Sequence, residues 1–223
     1  VSAPAGQAGR GSDPSGLGAL SAAAAMHPLR TSADRFVFLR HGRTAGNVRR
    51  VYQHPDEPLC PEGFADADRA ARTLAPVAGS GFARIVASDM ARAWLTAGRV
   101  AAAAGMPAAP APDLRERFFG DLVGTSSVGL DWRIDPPSGE TLEEFVRRVH
   151  RGMGEVLADG APTLVVSHGG VLHVVAGMLG VALDPSWTAN ALPLSFRRAG
   201  TRWAAAPLPT PAGGPPTSAA ADP

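Results

Sequence analysis

The 223-residue chain carries 21 basic residues, all Arg, against 20 Asp and Glu, for a formal charge of +1. With no Lys, a Walker A phosphate loop and Schiff-base or pyridoxal-phosphate chemistry are excluded. Near-neutrality offers no electrostatic footprint for nucleic acid or an anionic membrane surface. The length suits a single domain with a real core, yet 42 residues are Ala, so that core must lean on Val, Leu, Ile and Phe. One cysteine, Cys60, cannot close an intramolecular disulfide, and no apolar run reaches the ~18 residues of a membrane span. A cytoplasmic location with no membrane or nucleic-acid partner is expected.

Residues 1–32 are rich in Ala, Gly, Ser and Pro and are expected to be a disordered extension. The domain is expected over 33–206, and the Pro/Ala-rich 207–223 reads as a loose tail. Within the domain, Arg35 to Leu39 (RFVFL) is a short apolar run with strand character. Glu62 to Ala78 reads as a helix with Phe64, Ala67, Ala71, Leu74 and Ala78 near one face. RIVA, Arg84 to Ala87, is a second strand. Asp89 to Ala104 is an Ala-rich helix ended by Gly105 and Pro107. Glu140 to Leu157 repeats apolar residues at helical spacing. TLVV, Thr163 to Val166, is a third strand, and Gly169 to Leu179, apolar all round, is a buried helix. Leu192 to Arg198 and Thr201 to Ala205 form a closing hairpin around Gly200. Strands alternating with helices predict an α/β domain with a mostly parallel sheet.

Each of the three strands runs into polar residues: Arg40-His41-Gly42-Arg43-Thr44, Ser88-Asp89-Met90-Ala91-Arg92, and Ser167-His168-Gly169-Gly170. Ligands of open parallel sheets sit outside the carboxyl ends of the strands, so Arg40, His41, Arg92 and His168 are expected to share one edge. Two guanidinium forks, two imidazoles and the free N–H groups of helix N-termini make an anion pocket, and phosphate is the anion that Arg pairs with bidentately. Neutral imidazole is a nucleophile toward phosphorus. Glu116, in Leu114-Arg115-Glu116-Arg117-Phe118-Phe119-Gly120, is the candidate acid for a leaving alkoxide.

RHGRTAGN (Arg40 to Asn47) resembles the RHGxTxxN signature of the histidine phosphatase superfamily, also called phosphoglycerate mutase-like. SDMARAWLTA (Ser88 to Ala97), LRERFFG, SGETLEEFVRRV (Ser138 to Val149) and VSHGGVL (Val166 to Leu172) resemble four further family elements, in family order over residues 35–200. The resemblance implies a doubly wound α/β fold with helices on both faces of the sheet, and a phosphohistidine intermediate with His41 as nucleophile and Glu116 as proton donor. Arg40, Arg92 and His168 become the rest of the phosphate pocket. Thr44, Asn47, Gln53 and Gly169 are substrate-contact candidates; no metal and no cofactor are expected.

The chain departs from the family at Cys60, which stands where relatives carry a hydroxyl. Between Gly120 and Gly139 many relatives carry a longer helical cap. The lid here is short, a more open leaving-group site is expected, and Trp132 and Arg133 either touch substrate or anchor that lid. A metal-independent phosphomonoesterase acting on a small phosphorylated metabolite is the first reading. A mutase-type phosphoryl transfer, a protein-phosphohistidine phosphatase and a non-catalytic phosphate-binding domain are the alternatives.

Overall fold

The computed structural model describes residues 15–209. Of the expected disordered ends, residues 1–14 and 210–223 lie outside that range. One six-stranded sheet runs in the order β3 (Ala108–Pro110), β2 (Arg84–Ala87), β4 (Thr163–Ser167), β1 (Arg35–Arg40), β5 (Pro193–Ala199) and β6 (Arg202–Pro207). The first four strands are mutually parallel, while β5 is antiparallel to both β1 and β6. The helices are α1 (Leu17–Ala25), α2 (Ala45–Arg49), α3 (Pro61–Leu74), α4 (Ala91–Ala104), α5 (Leu142–Val156) and α6 (Gly169–Leu179).

β1 shows why the sheet is covered on both sides. Its side chains alternate, so Phe36 and Phe38 join a core with α1, α5 and α6, while Val37 and Leu39 join a second core with α3 and α4. β4 repeats the division: Val165 faces the first core, Leu164 and Val166 the second. A helix layer therefore lies on each face, as the family resemblance implied.

Local signals explain the helix ends. Pro61 opens α3, where its missing N–H costs nothing. The helix passes into a 3-10 turn at Ala75–Val77, because Pro76 cannot continue an α-helix. A capping box starts α5: Thr141 Oγ accepts the Glu144 N–H at 3.2 Å and the Glu144 carboxylate accepts the Thr141 N–H at 2.8 Å.

Three elements differ from expectation. β3 was not foreseen, because Ala-Ala-Pro has no β-branched residue; it is an edge strand paired on one side only, where Pro is tolerated. The five-residue α2 was too short to show periodicity. The third is a correction to the N-terminal disorder: Leu17–Ala25 is helical, with Leu20 and Ala24 fully buried. α1 packs on α6, and its small residues permit a close approach that compensates for their modest individual burial energy.

Candidate active site

At the carboxyl edge of the sheet, β1, β2 and β4 deliver His41, Ser88 and His168 side by side. The His41 N–H donates to the Ser167 carbonyl at 2.9 Å and the Ser88 N–H to the Val166 carbonyl at 2.9 Å, carrying the strand ladder into the loops. The edge borders a cavity of about 850 Å³. Arg40, His41, Asn47, Gln53, Arg92, Glu116 and Gly169 all line it. Of the site residues expected from sequence, His168 and Thr44 lie beneath the surface instead, each fully buried.

The His41 ring is nearly buried, with Nδ1 2.7 Å from the Gly42 carbonyl. That bond holds the proton on Nδ1 and leaves the lone pair on Nε2. Burial is the main cause pushing the His41 pKa well below the ordinary imidazole value, with the Arg92 and Arg40 charges adding to it. The ring is therefore neutral near pH 7, as a nucleophile must be.

The His168 ring lies 5.2 Å from that of His41, centroid to centroid. Its Nε2 meets the Ser88 hydroxyl at 2.9 Å, and that oxygen also accepts the Met90 N–H at 3.3 Å. A hydroxyl donating to Nε2 places the imidazole proton on Nδ1, which is buried with no partner among the described residues. Burial and the neighbouring Arg92, His41 and Arg40 push this pKa well down too. His168 thus stands as a neutral imidazole buried beside His41 and under the charges of Arg92 and Arg40.

Arg92 is held by the His54 carbonyl at 3.1 Å, and Arg40 by the Thr188 carbonyl at 2.6 Å. The Arg92 Nε is buried without a partner among the described residues. Burial pushes the Arg92 pKa to about 10, so its charge survives at neutral pH. Two guanidiniums, a neutral N–H donor and the N-terminus of α6 converge on one small volume. An anion with several oxygens is what such a site binds.

Glu116 reaches the same cavity from the loop after β3. Its carboxylate accepts the Gly170 N–H and the Arg117 N–H, each at 3.0 Å. The loop beneath it is clamped by Arg148, which donates to the carbonyls of Asp113 at 2.8 Å, Arg115 at 3.0 Å and Glu116 at 3.3 Å. Arg148 is itself fixed by Glu140 at 2.7 Å.

The remaining candidates divide. Thr44 does not border the cavity; it caps α2 through the Asn47 N–H at 3.0 Å and its hydroxyl donates to Gln53 Oε1 at 2.9 Å. The expectation that Thr44 touches substrate is thereby corrected: its hydroxyl is consumed in positioning Asn47 and Gln53, which do line the cavity. In the short lid, Trp132 anchors the segment to the body. It packs between Phe119 and Phe145 and borders the cavity. Arg133 pairs with Asp131 at 2.7 Å outside the cavity lining. Cys60 precedes α3, and burial raises its pKa, the reverse of an activated thiol.

Sequence reasoning undervalued His173 and Arg50. His173 lies one helical turn beyond Gly169, a spacing visible in the sequence, and burial pushes its pKa down to about 4. Arg50 holds a left-handed backbone (φ 52°) and lines the cavity, which no local pattern announces.

Sheet order, two-sided helix cover and this cluster at the strand ends define an α/β enzyme-like domain of the phosphoglycerate mutase-like kind. The model of the histidine phosphatase superfamily (branch 1) matches residues 36–199, and the chain belongs to that family. It is 31% identical over 162 residues to the adenosylcobalamin/alpha-ribazole phosphatase of Salmonella typhimurium, covering 65% of this chain and 79% of that protein. A mycobacterial glucosyl-3-phosphoglycerate phosphatase, solved as a complex with VO3, superposes with a TM-score of 0.64 at 26% identity, covering 77% of this chain and 96% of that one. Agropine synthesis reductase of Rhizobium rhizogenes is 33% identical over 181 residues, 77% of this chain. The chain spans less than half the length of several such curated relatives, 41% of the reductase and 46% of a bifunctional protein of Mycobacterium tuberculosis. Among the described residues no helix is long and apolar enough to cross a membrane.

Proposed function

We propose that this chain is a metal-independent phosphomonoesterase that hydrolyses a small phosphorylated metabolite through phospho-His41. The observation that carries the reading is the neutral His41 imidazole, its Nδ1 tied to the Gly42 carbonyl, under the charges of the buried Arg92 and of Arg40. The phosphoryl oxygens are held by Arg40, Arg92 and the His168 N–H. The Nε2 lone pair of His41 attacks phosphorus in line, and the bond from phosphorus to the leaving oxygen breaks. The Glu116 carboxyl gives its proton to that oxygen, releasing the alcohol. A water then attacks the phosphohistidine, Glu116 takes back a proton, and the N–P bond breaks to free inorganic phosphate. Both guanidiniums meet charge where it develops, and removing one donor of this type costs ~10²–10³ in kcat. Asn47 and Gln53 contact the substrate from the α2 side. The relatives that hydrolyse phosphate esters support the reaction class. The lone thiol agrees with a cytoplasmic setting.

The test is quenching in alkaline detergent during turnover of a radiolabelled phosphomonoester. Wild type traps an acid-labile, base-stable phosphoprotein, and His41→Ala traps none and loses turnover. Full activity in His41→Ala, or no trapped label in wild type, overturns the mechanism.

A further inference from the structure

The cavity is far larger than a phosphoryl group and a three-carbon alcohol require. At about 850 Å³ it lies toward the upper end of the range that accommodates drug-sized ligands, ~300–1,000 Å³. Its lining is of two kinds. Arg40, His41, Arg92 and Glu116 supply charge and hydrogen bonds. Leu17, Ala22 and Ala25 of α1, Val181, Leu183 and Trp132 of the lid supply apolar surface. Ser21 contributes the only hydroxyl from α1 to this lining.

α1 is built into this position. A Cβ on Gly177 of α6 would meet the Ala24 Cβ at 2.8 Å and the Ser21 carbonyl at 2.9 Å, so only glycine lets the two backbones come this close. The Trp132 N–H donates to the Ser15 carbonyl at 2.9 Å, tying the start of α1 to the lid. The two pieces form one continuous wall. The short lid alone leaves this side open, and α1 closes it.

Resting on the phosphomonoesterase reading, we infer that α1 is a specificity element, and that the substrate is the phosphate monoester of an apolar, ring-sized alcohol. Small polyols leave the wall unoccupied and gain nothing from it. A bulky apolar leaving group buries against Leu17, Ala22, Val181 and Trp132 while its phosphate sits on the Arg pair.

The experiment uses ethyl phosphate and naphthylethyl phosphate, whose leaving alkoxides are of similar basicity. A hydrophobic pocket discriminates ~10–200-fold per methylene, so wild type is expected to favour the naphthyl ester in kcat/KM by about 100-fold or more. Ala22 and Ala25 are exposed within the cavity, so Ala22→Trp and Ala25→Leu disturb no buried contact. Each should cut that preference at least ~10-fold, lowering kcat/KM on the naphthyl ester more than on ethyl phosphate. Met26→Trp, at a position 79% exposed and outside the cavity lining, should change nothing. A wild-type ratio near one, or equal loss on both esters in Ala22→Trp, overturns the inference. Calorimetry with ethylphosphonate and naphthylethylphosphonate separates the two claims. Tighter binding of the naphthyl phosphonate with no hydrolysis of either ester sinks the hydrolytic reading alone, and equal binding of the two phosphonates sinks the role of α1.

Discussion

Gly170→Ala isolates the proton donor from the phosphate pocket. A Cβ at Gly170 would lie 2.3 Å from Glu116 Oε1 and 2.4 Å from Trp132 Cη2, about 1 Å short of ordinary contact. The indole cannot retreat, since it is buried and stacked on Phe145 with ring centroids 6.1 Å apart. The carboxylate is the flexible end, so Glu116 gives way and its 3.0 Å bond from the Gly170 N–H lengthens. Helix propensity favours Ala over Gly by ~1 kcal/mol, which offsets part of the steric cost and keeps the fold. General acid catalysis contributes ~10²–10⁴-fold, and a 1 Å misplacement costs on the order of 10². An alkyl phosphate should therefore lose about 100-fold in kcat/KM, about 2.7 kcal/mol of transition-state stabilisation. p-Nitrophenyl phosphate, whose leaving group needs no proton, should change by less than about 5-fold. Inhibition by inorganic phosphate should hold, because Arg40, His41, Arg92 and His168 are untouched. Steady-state kcat/KM on the two esters is the measurement, since it reports phosphoryl transfer to the enzyme rather than release. Equal loss on both esters, or none on the alkyl ester, refutes Glu116 as the donor placed by α6.

Acid should destabilise the fold through its buried imidazoles. His41, His168 and His173 all have pKa values pushed below 6.5, His173 to about 4. Below 6.5 the unfolded chain binds more protons than the folded one. Stability is therefore whole above that value and falls as pH drops toward the folded values, by up to ~1.4 kcal/mol per pH unit for each ring. Urea midpoints at pH 7, 6 and 5 should decline, with a shallower slope in His173→Asn; a flat series contradicts the burial argument. Arg117→Ala should loosen the lid. Its guanidinium, fully buried, donates to the carbonyls of Trp132 and Ile134 at 2.7 Å and Glu140 at 2.9 Å. Losing the donor strands three carbonyls, at ~1–3 kcal/mol for each that stays dry. Thermal melting should drop and residues 121–137 should become protease-sensitive, and Arg117→Lys, lacking the fork, should restore little. An unchanged melting point would show that the lid stands without it.

Much of the site was legible because its chemistry follows directly on strands. Arg40-His41 and Ser167-His168 continue the apolar runs of β1 and β4, so their convergence follows from parallel pairing alone. Arg92 is the second residue of α4, just beyond β2, and was legible for the same reason. Thr44 shows where such reading stops. A hydroxyl three residues from His41 can face substrate or cap a helix, and the choice rests on where Gln53 and Asn47 lie in space.

The N-terminal segment shows the larger gap. Leu17, Leu20 and Ala24 are spaced for a helix face, but Ala-rich helices bury too little surface to order themselves. α1 becomes ordered because Gly177, more than 150 residues on, lets it settle against α6. Local pattern alone determined the α/β class, the strand-end cluster and the family resemblance, since these depend on periodicity and on neighbours in the chain. Only the tertiary structure decided which hydroxyls and imidazoles face the cavity, and that the first helix closes the side the short lid leaves open. Those outcomes depend on contacts between residues far apart in sequence, and no local propensity encodes them.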